Sequence, residues 1–110
     1  MDSQDFQITA DETFDLIQQA LDRLAIDGVE AYPIENGLKL MFDDGNSYEL
    51  LRNDGEQTIE AWMDGDPVTL YWDAVEEAWF ARGSEETLAE VLSAALGKRI
   101  GRNADFAEYL

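Results

Sequence analysis

The sequence has no cysteine and no histidine among its 110 residues. Without cysteine there are no disulfides, thiolate nucleophiles or zinc–thiolate sites, and without histidine the commonest general base and metal ligand is missing. Any side-chain catalysis or metal binding therefore falls mainly to carboxylates. Carboxylate oxygens suit hard cations such as calcium, magnesium, manganese or iron.

Basic residues are also scarce, with 7 Lys and Arg against 25 Asp and Glu, for a formal net charge of −18. A chain of this charge repels phosphate backbones, so we expect no nucleic-acid partner. Cations or a basic protein surface match it better. Adaptation to salt is a second explanation of the acidity, because the chain has only two lysines, Lys39 and Lys98.

Long apolar runs are absent too, because no run exceeds four residues, and we expect no membrane segment. The first residues, "MDSQDFQ", are acidic where a secretory or transit peptide is basic, so we expect a cytoplasmic protein. With 45% hydrophobic side chains, 110 residues suffice for one core and are too few for two. Residues 1–110 are therefore predicted to form a single domain.

Apolar residues recur at helical spacing near the N-terminus. They predict a helix from about Ser3 to Ala25 that ends at Gly28. A start at Thr9 is an alternative, because Thr9 and Glu12 have the spacing of a capping box.

A second helical pattern lies near the C-terminus. Ser84 is predicted to cap this helix and Gly97 to stop it. The apolar residues of the tail, residues 98–110, are predicted to pack against the helices.

Between the two helices the period changes to that of short strands: "VEAYPIE", "LKLMF", "SYELL", "QTIEAWM", "PVTLYW" and "EAWFAR". Pro33 places the first strand at a sheet edge, because proline cannot donate to a ladder. The pattern predicts an α+β two-layer sandwich. In it an antiparallel sheet of about six strands carries both helices on one face and leaves the other face open.

Three aspartates form a column on the first helix. At 100° per residue, Asp11, Asp15 and Asp22 fall within an arc of roughly 40°. Like charges four residues apart destabilise a helix by a few tenths of a kcal/mol. A solvated helix face is the plain interpretation, and a cation or partner site is the functional one.

The three tryptophans differ in their strand patterns. In "TIEAWM", Trp62 shares a face with Thr58 and Glu60, so we expect it on the open face of the sheet. Trp72 and Trp79 are predicted to be core residues, and Asp73 a turn residue.

An ordered set of segments resembles the frataxin family, particularly its bacterial form. The segments are "NDGEQTIEAW" from Asn53, "YWD" from Tyr71, "AWF" from Ala78 and the closing "SEETLAEVL". The first helix resembles the family as well, at Phe6, Ala10, Asp11, Ile17, Leu21 and Asp22. The resemblance covers roughly residues 1–97. It departs at Gln18 and Gln19, where the family's ridge has adjacent glutamates.

The resemblance implies a protein without enzymatic activity that binds iron weakly and acts in iron–sulfur cluster assembly. Iron binding is implied at an acidic ridge on the first helix and first strand. We define the acidic ridge as Asp11, Asp15, Asp22, Asp27 and Glu30. The implied partners are the cysteine desulfurase and the scaffold protein, with Asn53, Glu60 and Trp62 as the partner-binding residues. We expect a monomer in the absence of metal.

Two alternatives stay open on the sequence alone. The chain is an acidic adaptor or inhibitor that binds a basic partner without metal, or a frataxin-like protein whose ridge has degenerated. Gln18 and Gln19 favour the second, because an amide keeps a carbonyl oxygen and loses the charge. A carboxylate pair for acid–base catalysis is disfavoured, because it needs a concave pocket and one raised pKa.

Overall fold

In chain order, one helix precedes six consecutive strands and a second helix follows them. The computed structural model describes residues 2–101, 104–107 and 109–110. The elements are α1 (Ser3–Leu24), β1 (Val29–Ile34), β2 (Gly37–Phe42), β3 (Ser47–Asn53), β4 (Thr58–Trp62), β5 (Val68–Asp73), β6 (Ala78–Ala81) and α2 (Leu88–Ile100).

The six strands form one antiparallel meander in the order β1-β2-β3-β4-β5-β6. β1, which contains Pro33, is an edge strand, as predicted. Alternate side chains of each strand point toward the helices, as Leu38, Leu40 and Phe42 do in β2. The architecture confirms the predicted α+β fold with helices on one face.

The core lies between the helices and the inner face of the sheet. Its fully buried members include Phe6 and Ile17 from α1 and Leu92 and Leu96 from α2. Phe106, beyond α2, is fully buried as well, and its backbone N–H donates to the Ser93 hydroxyl (3.0 Å). Three residues of the predicted tail, 102, 103 and 108, lie outside the described residues.

Helix α1 begins where the longer of the two predictions placed it. Asp2 is the N-cap, and its side chain accepts from the Asp5 N–H at 2.9 Å. The alternative start at Thr9 is wrong, since Thr9 lies inside α1 and its carbonyl accepts from the Thr13 hydroxyl (2.8 Å). The helix ends at Leu24 with Ala25 as its left-handed C-cap, so Gly28 lies three residues beyond the cap and does not end the helix.

Helix α2 corrects two predictions. Its N-cap is Thr87 and not Ser84, because Thr87 and Glu90 complete a capping box in which each side chain bonds the other's backbone N–H. Gly97 does not stop α2, which continues to Ile100. Gly101 is the C-cap, with a φ of 73° that favours glycine. Residues 98–100 therefore belong to the helix and not to the tail.

Two of the three tryptophans pack with the core, as predicted. Trp79 is buried, and its indole N–H donates to the Thr13 hydroxyl on α1 at 2.8 Å. Trp72 is half-buried with its ring 5.3 Å from that of Trp79. Asp73 ends β5 and accepts from two backbone N–H groups of the following turn, so it acts as a turn residue.

Candidate functional site

The aspartate column lies on the solvent side of α1. Asp11, Asp15 and Asp22 are all exposed, whereas the opposite face of the helix carries the buried apolar residues. The acidic ridge continues beyond the helix. Asp27 lies in the turn that follows α1, and Glu30 is the second residue of edge strand β1. Both are exposed.

Two shallow grooves follow the ridge between α1 and the β1 edge of the sheet, and Gln18 lines both. The first, of about 260 Å³, is lined by Asp11, Asp15 and Arg52 among others. The second, of about 380 Å³, is lined by Asp22, Asp27 and Glu30. The structure thus divides the five ridge residues between two neighbouring depressions, which we call the N-terminal and C-terminal grooves.

Arg52 is the basic residue of the N-terminal groove. Its Nη1 donates to both carboxylate oxygens of Asp11, at 2.9 and 3.0 Å. Its Nη2 donates to the Asn36 side chain at 2.9 Å, and its Nε lies 2.7 Å from Asp54 Oδ1. Asp11 is therefore ion-paired, although it is exposed.

The C-terminal groove has no Lys or Arg among the described residues that line it. Glu30 accepts a hydrogen bond from the hydroxyl of Tyr32, two residues along the same strand. This hydrogen bond, together with the carboxylate charge, raises the pKa of Tyr32. The groove thus carries three acidic side chains and no described cation.

The ridge carboxylates are not gathered into a chelating cluster. Among residues 2–101, 104–107 and 109–110, no group of three or more acidic side chains is close enough to hold a metal ion. Gln19 is exposed beside the ridge, and Gln18 separates the two grooves. The arrangement suits weak electrostatic association with a cation more than a tight site.

The helix-free face of the sheet carries Trp62. Its side chain is 46% exposed, as its alternation predicted. The strand register places it beside Glu49, then Lys39, then Tyr32, in one row across β4, β3, β2 and β1. Tyr32, at the far end, is equally exposed. An exposed tryptophan in a row of polar residues has the character of a contact surface.

The two other predicted partner residues flank Trp62 differently. Glu60 shares its face and strand and is half-buried. Asn53 ends β3, and its side chain accepts from the Glu56 N–H at 3.1 Å, which shapes the turn into β4. Glu60 and Trp62 therefore form one surface, while Asn53 has a structural task at its margin.

A family model described as a frataxin-like domain matches residues 1–102. The chain belongs to the frataxin family. A search of the solved structures found the frataxin of Psychromonas ingrahamii, studied as a model for stability modulation within the CyaY family. It shares 18% sequence identity at a TM-score of 0.88, covering 97% of this chain and 99% of that one. At this identity the likeness shows the fold. A search of the curated proteins found no match.

Arg52 is the residue of this frataxin-family chain that the sequence did not single out. It lies 41 residues from Asp11, so no local spacing connects the two. Its one sequence signal is its rarity, as one of 7 basic residues in the chain.

Within the described residues, neither helix is long and apolar enough to cross a membrane.

Proposed function

We propose that this frataxin-family protein acts in iron–sulfur cluster assembly without being an enzyme. In this proposal it serves as an iron donor or as a regulator of the complex of cysteine desulfurase and scaffold protein. The observation that carries the proposal is the C-terminal groove, where Asp22, Asp27 and Glu30 face solvent with no basic side chain among the described lining residues. We expect the protein in the cytoplasm.

Iron is cargo in this proposal. Separate, exposed carboxylates attract a hard cation through long-range charge and bind it through one oxygen at a time. Because the described residues form no cluster of three, we expect weak and rapidly exchanging binding. Weak binding favours handing iron on to a partner over storing it.

The partner contact is proposed at the helix-free face, centred on Trp62 with Glu60 beside it. A half-exposed tryptophan gains by burying its ring against a partner, and such residues carry much of the energy of interfaces. The acidic ridge lies at the edge of the same sheet through Glu30. A partner with a basic surface would therefore meet attractive charge beside an apolar anchor.

The test of iron binding is an anaerobic titration of ¹⁵N-labelled protein with ferrous iron, followed by amide NMR. We expect signals to be lost at low stoichiometry between residues 11 and 30. A variant with all five ridge acids changed to Asn or Gln should lose this response.

The matched control changes five exposed acids elsewhere to their amides: Glu56, Asp66, Glu76, Glu77 and Glu86. It alters the net charge by the same amount, so it should leave the response in place. Signals lost evenly over the surface, or an equal effect of both variants, would contradict iron binding at the ridge.

A second candidate function is an acidic interaction module that binds a basic partner without metal. The absence of a chelating group among the described residues favours it. It predicts the same partner contacts and no paramagnetic effect of iron. This candidate would be supported if the amide spectrum of the wild-type protein did not change with ferrous iron while the protein still bound the desulfurase complex.

A further inference from the structure

The two grooves of the acidic ridge differ in charge. The N-terminal groove holds Asp11 and Asp15 together with the cation Arg52. The C-terminal groove holds Asp22, Asp27 and Glu30, with no Lys or Arg among its described lining residues. Counted by formal charge over the lining residues, the first groove carries one net negative charge and the second carries three. Arg52 is also paired with Asp54, which lines neither groove.

Arg52 is fixed in place by several elements at once. Its guanidinium contacts Asp11 on α1, Asn36 in the β1–β2 turn and Asp54 in the β3–β4 turn. Its backbone N–H also donates to the Asn36 carbonyl at 2.7 Å. The side chain is only 14% exposed, while that of Asp11 is 58% exposed. The cation is therefore part of the folded framework and not a mobile surface group.

We infer that Arg52 is a specificity-determining residue that keeps metal cations away from Asp11 and directs them to the C-terminal groove. This inference rests on the proposed function of the ridge. Both oxygens of Asp11 already accept from Arg52. An arginine cannot lose its charge by deprotonation, so a metal ion must either displace it or face it at close range. No Lys or Arg is found among the described residues that line the groove of Asp22, Asp27 and Glu30, and the hydrogen bond that Glu30 accepts comes from the neutral hydroxyl of Tyr32.

The probe is Mn²⁺, which is paramagnetic and stable in air, titrated into ¹⁵N-labelled protein. In the wild type we expect amides around residues 22–30 to broaden at lower Mn²⁺ than those around residues 11–15. Asp11→Asn and Asp22→Asn remove the same charge from the same helix. From the loss of one charge at close range, we expect Asp22→Asn to weaken Mn²⁺ binding about threefold and Asp11→Asn by less than about 1.5-fold.

The converse test removes the internal cation. In Arg52→Gln, amides around residues 11–15 should broaden at the Mn²⁺ concentration that affects residues 22–30. Arg82→Gln is the control, because it makes the same change in net charge just after the opposite edge strand, β6, and should preserve the wild-type order. If Arg52→Gln fails to fold, as its amide spectrum would show, the two aspartate variants still decide the matter.

The outcomes separate the two proposals. Equal broadening of both grooves in the wild type, or equal losses in Asp11→Asn and Asp22→Asn, would overturn the role of Arg52 and leave cation binding at the ridge intact. No selective broadening in any variant would overturn cation binding at the ridge, and the role of Arg52 with it.

Discussion

Replacing Trp62 by alanine separates a contact residue from a core residue. A tryptophan side chain presents up to about 250 Å² of surface, and Trp62 keeps 46% of its surface exposed. Alanine retains part of the remaining burial, so roughly 100 Å² is lost. At about 25 cal/mol per Å² this sets a ceiling near 2.5 kcal/mol, and we expect a loss of about 1–2 kcal/mol because the unfolded chain is partly compact.

The effect on binding should be larger. Truncation of an aromatic anchor at the centre of an interface costs about 2 kcal/mol or more, which is roughly a thirtyfold rise in Kd. We would measure stability by urea unfolding followed by far-UV circular dichroism. Binding would be measured by isothermal titration calorimetry with the scaffold protein of the same organism.

Two variants calibrate the result. Leu16→Ala removes a side chain of similar exposure, 41%, from the helix layer on the other side of the sheet, and should leave binding unchanged. Trp79→Ala removes a buried tryptophan and should cost about 3–5 kcal/mol of stability. A loss above about 3 kcal/mol for Trp62→Ala would show that Trp62 supports the core. Unchanged scaffold binding would place the contact elsewhere.

Two further predictions concern buried polar groups. Thr13→Val leaves the Trp79 indole N–H without its acceptor and should cost about 1–3 kcal/mol, whereas Thr13→Ser should cost less; equal costs would contradict a role for this hydrogen bond. Burial and the hydrogen bond to Asp64 raise the pKa of Tyr48 to about 12 from 10.0. The folded state holds the Tyr48 proton more tightly than the unfolded state does. The protonated hydroxyl therefore contributes its full share of the free energy of unfolding below pH 10, and this share is lost as the pH rises through 12. Urea unfolding between pH 9 and 12 should show a steeper loss for the wild type than for Tyr48→Phe; equal slopes would refute it.

The helices and strands could be predicted from the sequence because their hydrophobic periods are clear. The prediction was wrong at the start of α2, where two residues are suitable N-caps. Ser84 and Thr87 are both good N-caps, and the partner of the cap decides between them. Thr87 has Glu90 at the position that completes the capping box. The segment before it pairs with β6 instead, since the Ala81 N–H donates to the Glu86 carbonyl at 2.7 Å. The pairing joins residues only five apart, so residues 82–84 form a turn and the helix cannot begin at Ser84.

The exposure of Trp62 was predictable because alternation along a strand assigns each side chain to a face. The division of the ridge was not. It depends on Arg52, which reaches Asp11 only once the end of β3 lies beside α1. Spacing on one helix identifies which charges share a face. It says nothing about a counter-charge brought by a strand from elsewhere in the sequence.

Repulsion among the three aspartates of the column destabilises α1 only slightly. Asp11 and Asp15 are four residues apart, and Arg52 offsets the charge of Asp11. Asp15 and Asp22 are seven residues apart, about 10.5 Å along the axis, which is near the Debye length at 0.1 M salt. The repulsion between Asp11 and Asp15 is therefore reduced by the ion pair with Arg52, and the repulsion between Asp15 and Asp22 is reduced by salt.

Asp22 also interacts unfavourably with the end of the helix, in addition to any repulsion from the other aspartates. It lies in the last turn of α1, which ends at Leu24, where the carbonyl ends of the helix already carry partial negative charge. A carboxylate there is unfavourable by about 0.3–1 kcal/mol. Arg23 shares that turn but projects about 100° around the axis. A cation in the C-terminal groove would relieve both the carboxylate and the helix end, so Asp22 is the ridge residue where cation binding should gain most.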